Sequence, residues 1–231
     1  MTRIADIFGS AIVAVGAFNP AIFSPDWLER NKLIGQGDTE VAKNTPSLIV
    51  SPQITVFETD WFALQVLENQ FSLTSKGALT PAFKDLAVGI FSLVSHTPIK
   101  AVGLNFLAHF RFTTETEYHQ IGDVLAPKTI WNKLYPETNS AGLANLTIKI
   151  QEAERGKTPR SANEKTISVQ PSGKVKFGVL LTINDHREIC DSTEMTKAEQ
   201  VAELLESDWQ ISWNETVRVF DLIVSQALST V

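Results

Sequence analysis

Residues 99–112 read IKAVGLNFLAHFRF and form the longest run of alternating side chains in the chain. One side of an extended strand would carry the apolar members of this run: Val102, Leu104, Phe106, Ala108, Phe110 and Phe112. The other side would carry smaller or polar residues: Gly103, Asn105, Leu107, His109 and Arg111. Because successive side chains of a strand point to opposite faces, the run predicts a central strand. Its apolar face should pack on a helix layer, and its polar face suits a groove or a partner surface.

Composition limits the classes of protein that this chain can belong to. The chain has 231 residues, of which 43% are hydrophobic and 20% charged, and this balance is typical of a folded globular protein. A formal net charge of −6 argues against nonspecific polyanion binding by the whole surface, although a local basic patch stays compatible with it. The single cysteine, Cys190, permits no intrachain disulfide and no cysteine-based zinc site. We therefore expect a cytoplasmic protein.

Neither a signal peptide nor a membrane span is expected. The apolar run 7–18 follows Asp6 and is rich in β-branched residues, so it predicts a buried first strand rather than a signal sequence. No uncharged apolar run approaches the ~18 residues that a membrane span needs.

The first half of the chain predicts the element order β-α-β-β-α-β, which is the order of a ferredoxin-like unit. A strand at 10–18 precedes a helix that Ser24, Pro25 and Asp26 begin, and residues 35–46 read as a polar loop. Two strands at 47–58 and 61–73 follow, the second with an irregularity at 68–70. A helix with a broad apolar stripe then begins at Thr80 and Pro81 and leads to the strand at 99–112.

The second half predicts the order α-β-β-β-α. A helix at 115–125 precedes a strand at 142–154 and a hairpin whose arms are 166–170 and 174–184, joined by Pro171-Ser172-Gly173. A long amphipathic helical segment closes the chain, with capping-box spacing at Thr196 and again at Ser212. We expect one α+β domain over 1–231, with two sub-halves at 1–113 and 114–231 as the alternative. Its sheet or sheets should be mainly antiparallel, with helices on one face.

Several short motifs resemble a bacterial family of unknown function that is described as sporadically distributed. They are Ala17-Phe18-Asn19-Pro20 at a strand end, Gln65-Val66, Val102-Gly103-Leu104-Asn105-Phe106, Leu181-Thr182-Ile183-Asn184 and the amphipathic segment 209–228. The family has an arginine where this chain has Asn105, and an aspartate where it has Asn184. The resemblance covers most of the chain and implies no established activity.

Two polar clusters are candidates for chemistry. Asn105, His109 and Arg111 share the polar face of the 99–112 strand, where His109 could act as a base and Arg111 could hold an anion. The alternative is a structural histidine in a possible polar groove. Asp185, His186 and Glu188 form the densest ionisable group, but a continuing strand would separate Asp185 from His186. No phosphate loop, nucleophile elbow or metal-ligand spacing occurs, so we expect no cofactor, no metal and no catalytic residue.

A basic stretch runs through the loop and hairpin at 155–176. Its cations are Arg155, Lys157, Arg160, Lys165, Lys174 and Lys176. They could track phosphates of a nucleic acid, but interleaved aromatic side chains are missing apart from Phe177. A solvated, charged hairpin edge that discourages strand addition is the competing interpretation.

The closing helix carries Trp209, Trp213 and Phe220 on its apolar stripe, and these residues could bind a partner because tryptophan is enriched at interfaces. The competing interpretation is that the stripe covers the chain's own sheet.

Three functions remain open. The leading hypothesis is a non-enzymatic binding or assembly component of a bacterial multi-protein system, whose partner is another protein or a second copy. A hydrolase of phosphoesters and a nucleic-acid adaptor that uses 155–176 are the alternatives.

Overall fold

A single large antiparallel sheet, flanked by helices, organises this mixed α+β protein. The computed structural model describes residues 4–77, 79–135, 141–151, 164–192 and 194–229. The strands are β1 (Ile7–Gly16), β2 (Ile49–Val50), β3 (Ile54–Glu58), β4 (Phe62–Leu67), β5 (Gln70–Ser75), β6 (Ile99–Arg111), β7 (Leu146–Gln151), β8 (Glu164–Pro171) and β9 (Gly178–Glu188). The α-helices are α1 (Pro25–Arg30), α2 (Gln36–Asn44), α3 (Pro81–Leu93), α4 (Glu115–Leu125), α5 (Thr129–Leu134) and α6 (Lys197–Ser229), and a 3-10 turn spans Pro20–Ile22.

The nine strands form one sheet in the order β2-β3-β4-β5-β1-β6-β9-β8-β7. Each neighbouring pair is antiparallel. The predicted central strand is confirmed as β6, which pairs with β1 on one side and β9 on the other. The register sets Asn105 opposite both Ala11 and Asn184, so residues far apart in sequence meet at the middle of the sheet.

The first half departs from the predicted β-α-β-β-α-β order because four strands, rather than two, lie between the first helices and α3. The predicted irregularity at 68–70 is a tight turn at Glu68 and Asn69, and it splits the expected strand into the hairpin β4–β5. β5 and β6 both run antiparallel to β1, so they are parallel to each other and α3 links them as one split β-α-β unit.

The predicted loop at 35–46 is wrong, since α2 occupies most of it. The Asp38 carboxylate accepts the Gly35 backbone N–H at 3.3 Å and so closes the first turn. Only Thr39 and Ala42 of this helix are buried, and two buried positions in nine residues leave a weak apolar pattern.

Two clusters of buried apolar side chains pack against the sheet. The first joins β1 and β3–β6 to α1, α2, α3 and the start of α6, with Phe23, Phe71, Phe91 and Phe106 among its largest members. The second joins β6, β8 and β9 to α4 and the end of α6, around Phe110 and Phe220. The strand side chains in both clusters are the alternate ones that the period-two pattern places inward.

The closing segment is one continuous helix of 33 residues. Its predicted capping box is confirmed, because the Thr196 N–H donates to the Glu199 carboxylate at 2.8 Å. The second predicted capping box is wrong, since Ser212 lies inside α6 and donates its hydroxyl to Asp185 instead. No helix of the described residues is both long and apolar enough to cross a membrane.

Candidate functional site

The strand side chains that alternate with the core form what we call the open face of the sheet. Across β5, β1, β6 and β9 this face is depressed into a groove of about 580 Å³. Its floor combines small, hydroxyl, amide and aliphatic side chains: Gly9, Ala11, Thr74, Asn105, Leu107, Thr182 and Asn184. Lys76 after β5 and Lys174 in the turn between β8 and β9 also line it. A depression of this volume at the middle of the nine-stranded sheet is the main candidate binding site in the described part of the chain.

Two side-chain amides at the floor of the groove are held in fixed orientations. The Asn105 amide nitrogen donates to the backbone carbonyls of Ala11, at 3.3 Å, and Gly103, at 3.2 Å. Its carbonyl oxygen therefore faces β9, where it accepts from the Asn184 amide at 2.6 Å. This arrangement leaves the Asn184 carbonyl oxygen available as a fixed acceptor at the groove surface.

Gly103 makes room for this amide pair. A Cβ atom at position 103 would lie 2.8 Å from the Asn184 amide nitrogen, closer than side chains tolerate. The glycine in the strand therefore marks a close approach between neighbouring strands rather than a turn.

His109, the second predicted groove residue, does not line the groove and is buried, with 4% of its surface exposed. Its Nδ1 atom lies 2.7 Å from the Ser172 hydroxyl, which also accepts the backbone N–H groups of Lys174 and Val175. Burial, and then the nearby Lys174 ammonium, lower the pKa of His109 below its usual value. The contact between His109 and Ser172 joins the turn that carries Lys174 to β6.

The third predicted groove residue, Arg111, lies at the end of β6, and its Nε atom is 3.2 Å from the Asp6 carboxylate. Asp6 also accepts the Arg111 backbone N–H at 2.9 Å. This ion pair joins the end of β6 to the residue before β1. Arg111 does not line the groove.

The predicted nucleic-acid patch is described only in part. Arg155, Lys157 and Arg160 lie outside the described residues. Lys174 lines the groove, whereas Lys176 is exposed in the same turn with its ammonium 4.8 Å from the centre of the Phe177 ring. The predicted hairpin arm 174–184 begins later than expected, because residues 174–177 form the turn and Phe177 has a φ of 50°.

The Asp185, His186 and Glu188 group is not brought together. β9 continues to Glu188, so Asp185 points to the core side while His186 and Glu188 alternate to the open face. Asp185 is 1% exposed and accepts two hydrogen bonds from Arg187, at 2.8 and 3.0 Å, and one from Ser212 of α6 at 2.5 Å. This carboxylate therefore joins the sheet to α6.

The aromatic residues predicted to bind a partner pack inside the chain. Trp209 is 7% exposed and lies between Phe83 and Phe106, with ring centroids 5.8 and 5.1 Å away. Phe220 is buried against Phe110. Trp213 is half-buried and packs on Phe8. The competing interpretation of the stripe thus accounts for most of this aromatic surface, although edges of both tryptophans line a groove between α3 and α6.

Sequence reasoning placed Asn105 in a groove and Lys174 in a nucleic-acid patch, and it missed Thr74, Lys76, Thr182 and Asn184 as members of one site. These residues belong to strands more than a hundred positions apart, and only the sheet register brings them together. Within the described residues, no group of three or more His, Cys, Asp or Glu side chains could hold a metal ion.

The chain matches no known protein-family model, and no curated protein matches it. The likeness to the sporadically distributed bacterial family therefore stays a prediction.

Proposed function

We propose that this chain is a non-enzymatic, protein-binding component of a bacterial, cytoplasmic assembly. Its partner, a second protein or a second copy, would dock on the open face of the sheet. The observation that carries the proposal is that this face exposes aliphatic side chains and has a polar groove at the middle of the sheet.

The proposal includes the prediction that the helices lie on one face of the sheet, which leaves the open face for a partner. Support comes from the two core clusters, which contain the buried apolar side chains of α1–α4 and α6 together with strand residues of one alternation only. In the described strands, no helix side chain of either cluster covers the residues of the open face. A sheet face of this size with exposed aliphatic residues is typical of an interaction surface.

Exposed aliphatic side chains extend the open face beyond the groove. Val15 of β1 is 44% exposed and Ile49 of β2 is 48% exposed, and Ile49 lies opposite Val56 in the register. Exposed apolar groups and fixed hydrogen-bonding groups on one face are the combination that protein interfaces use.

The alternatives have less support. The hydroxyl of Ser172 already accepts two backbone N–H groups, and His109 is buried beneath the turn, so this pair is better suited to holding the turn than to attacking a phosphoester. The described strand residues of the open face include no phenylalanine, tyrosine or tryptophan on which bases could stack.

The test is the mass of the purified chain and of the particle that it forms when isolated gently from its host, measured by light scattering after size exclusion. We expect a defined oligomer or a stoichiometric complex that Val15→Asp disrupts. Leu93→Asp, at the end of α3, is the matched control because Leu93 is 48% exposed and lies off the open face. A lone monomer, or equal loss with both variants, would overturn the proposal.

A further inference from the structure

The charged side chains that line the groove are of one sign. Its lining includes two lysines, Lys76 and Lys174, and no aspartate or glutamate. The whole chain has a formal net charge of −6, so the groove departs in sign from the rest of the molecule. Clefts lined by one sign of charge focus the field on their occupant, which favours an anionic ligand.

The two lysines differ in how far they are neutralised. Lys76 lies 3.2 Å from the Glu58 carboxylate, outside the groove lining. Lys174 forms no ion pair within the described part of the chain, and its ammonium is close enough to lower the pKa of His109. In the turn between β8 and β9, the Ser172 hydroxyl accepts the backbone N–H of Lys174 and so fixes the backbone that carries this cation at the groove.

The floor of the groove suits an extended chain. Thr74, Ala11, Asn105 and Asn184 lie in one row across the sheet by register. β5 and β9 are three strand spacings apart, about 14 Å, and an extended segment of about four residues covers this distance. Along the row, the Thr74 hydroxyl group and the fixed Asn184 carbonyl oxygen offer partners to backbone N–H groups of such a segment.

We propose that the groove seats a short, extended acidic segment of the partner protein, with its carboxylates meeting Lys174 and Lys76. The Asn184 carbonyl oxygen accepts a hydrogen bond from the backbone of the segment. This inference rests on the proposed function and names the chemistry of the partner at the same site. Charge complementarity of this kind sets specificity and association rate.

The probe is an acetylated and amidated hexapeptide of alternating Thr and Glu, titrated into the ¹⁵N-labelled full chain. The side-chain amide signals of Asn105 and Asn184 report occupancy of the groove directly. We expect saturable shifts, binding at least tenfold weaker for the peptide with Gln in place of Glu, and further weakening as salt rises, because the contacts are partly solvated.

Lys174→Glu should weaken binding of the Glu peptide at least tenfold. Lys176→Glu makes the same charge change in the same turn but outside the groove lining, and it should change binding less than twofold. Lys174→Gln provides a second variant if the charge reversal disturbs the turn, and a near-ultraviolet circular dichroism spectrum checks the fold of each. Equal binding of the Glu and Gln peptides, absence of saturable shifts, or equal effects of the two lysine reversals would overturn the inference.

The mass measurement separates the two proposals. If the assembly forms and is lost with Val15→Asp but survives Lys174→Glu, the acidic segment is excluded and the proposed function stands. A lone monomer in the mass measurement overturns both.

Discussion

His109 shows how one buried side chain links pH to the stability of the protein. Its pKa is lowered by burial first and by Lys174 second, so the folded protein holds the imidazole neutral at pH values where the unfolded chain is protonated. The unfolded imidazole has a pKa of about 6.5. The contribution of His109 to stability is therefore complete above that value and is lost as the pH falls from it toward the lower pKa of the folded state.

Replacement of Lys174 tests this coupling. Lys174→Met removes the second cause of the shift, so we expect the pKa of His109 to rise while staying below about 6.5. An NMR titration of the imidazole carbon-bound protons measures it. Lys176→Met is the control, since it removes a charge from the same turn. A pKa of His109 that Lys174→Met leaves unchanged would contradict the prediction.

At the scale of elements, α6 and β9 are joined by charged groups that are removed from solvent. Asp185 is buried, and Arg187, whose side chain is 15% exposed, binds it through two nitrogen atoms. Removal of one partner leaves a buried charge uncompensated. We expect Arg187→Met to lower the free energy of unfolding by about 3–5 kcal/mol in a urea titration.

A surface ion pair on the same sheet serves as the comparison. Lys149 and Glu164 are 2.7 Å apart, and the Lys149 side chain is 67% exposed, so Lys149→Met should cost less than about 1 kcal/mol. The double variant Asp185→Leu/Arg187→Met should recover part of the loss because neither charge then remains unpaired. Equal costs for Arg187→Met and Lys149→Met would show that the Asp185 pair contributes no more than a surface contact.

The elements that could be predicted from the sequence are those in which the local pattern of apolar and polar residues shows which side chains are buried. β6, α3 and α4 follow from strict periodicity, and the cap at Thr196 follows from local spacing. The α2 helix was missed because its apolar side is narrow. Ser212 was misread because its capping-box spacing is local, whereas its actual partner, Asp185, lies on another element.

The candidate site was harder to predict for the same physical reason. The alternation of residues 99–112 identified a polar face, and Asn105 does line the groove. The depth of the groove comes from Gly9 and Ala11 on β1, and its fixed acceptor comes from Asn184 on β9. The residues around Gly103 in the sequence do not reveal that the Asn184 amide from β9 occupies the space where a Cβ atom of residue 103 would lie. Contacts between distant strands are set by the register of the whole sheet.

At the scale of the whole molecule, one strand and one helix contribute side chains to both core clusters, whatever the alternative division between 113 and 114. β6 contributes Phe106 to the first core cluster and Phe110 to the second. α6 does the same with Trp209 and Phe220, and Phe8 packs against both clusters. A strand and a helix that each run through two cores should make them unfold together.

Phe220→Ala tests whether the two clusters form one cooperative unit. Loss of this buried ring should destabilise the protein by about 3–5 kcal/mol. α6 and β6 belong to both clusters, so destabilisation of the second cluster should also destabilise the first. The most protected amides of β4 and β5, in the first cluster, should therefore lose as much free energy of opening as those of β9. Hydrogen exchange followed by mass spectrometry measures both sets in one sample. If only β8, β9 and α4 lose protection, the two halves are separate folding units and the continuous sheet does not couple them.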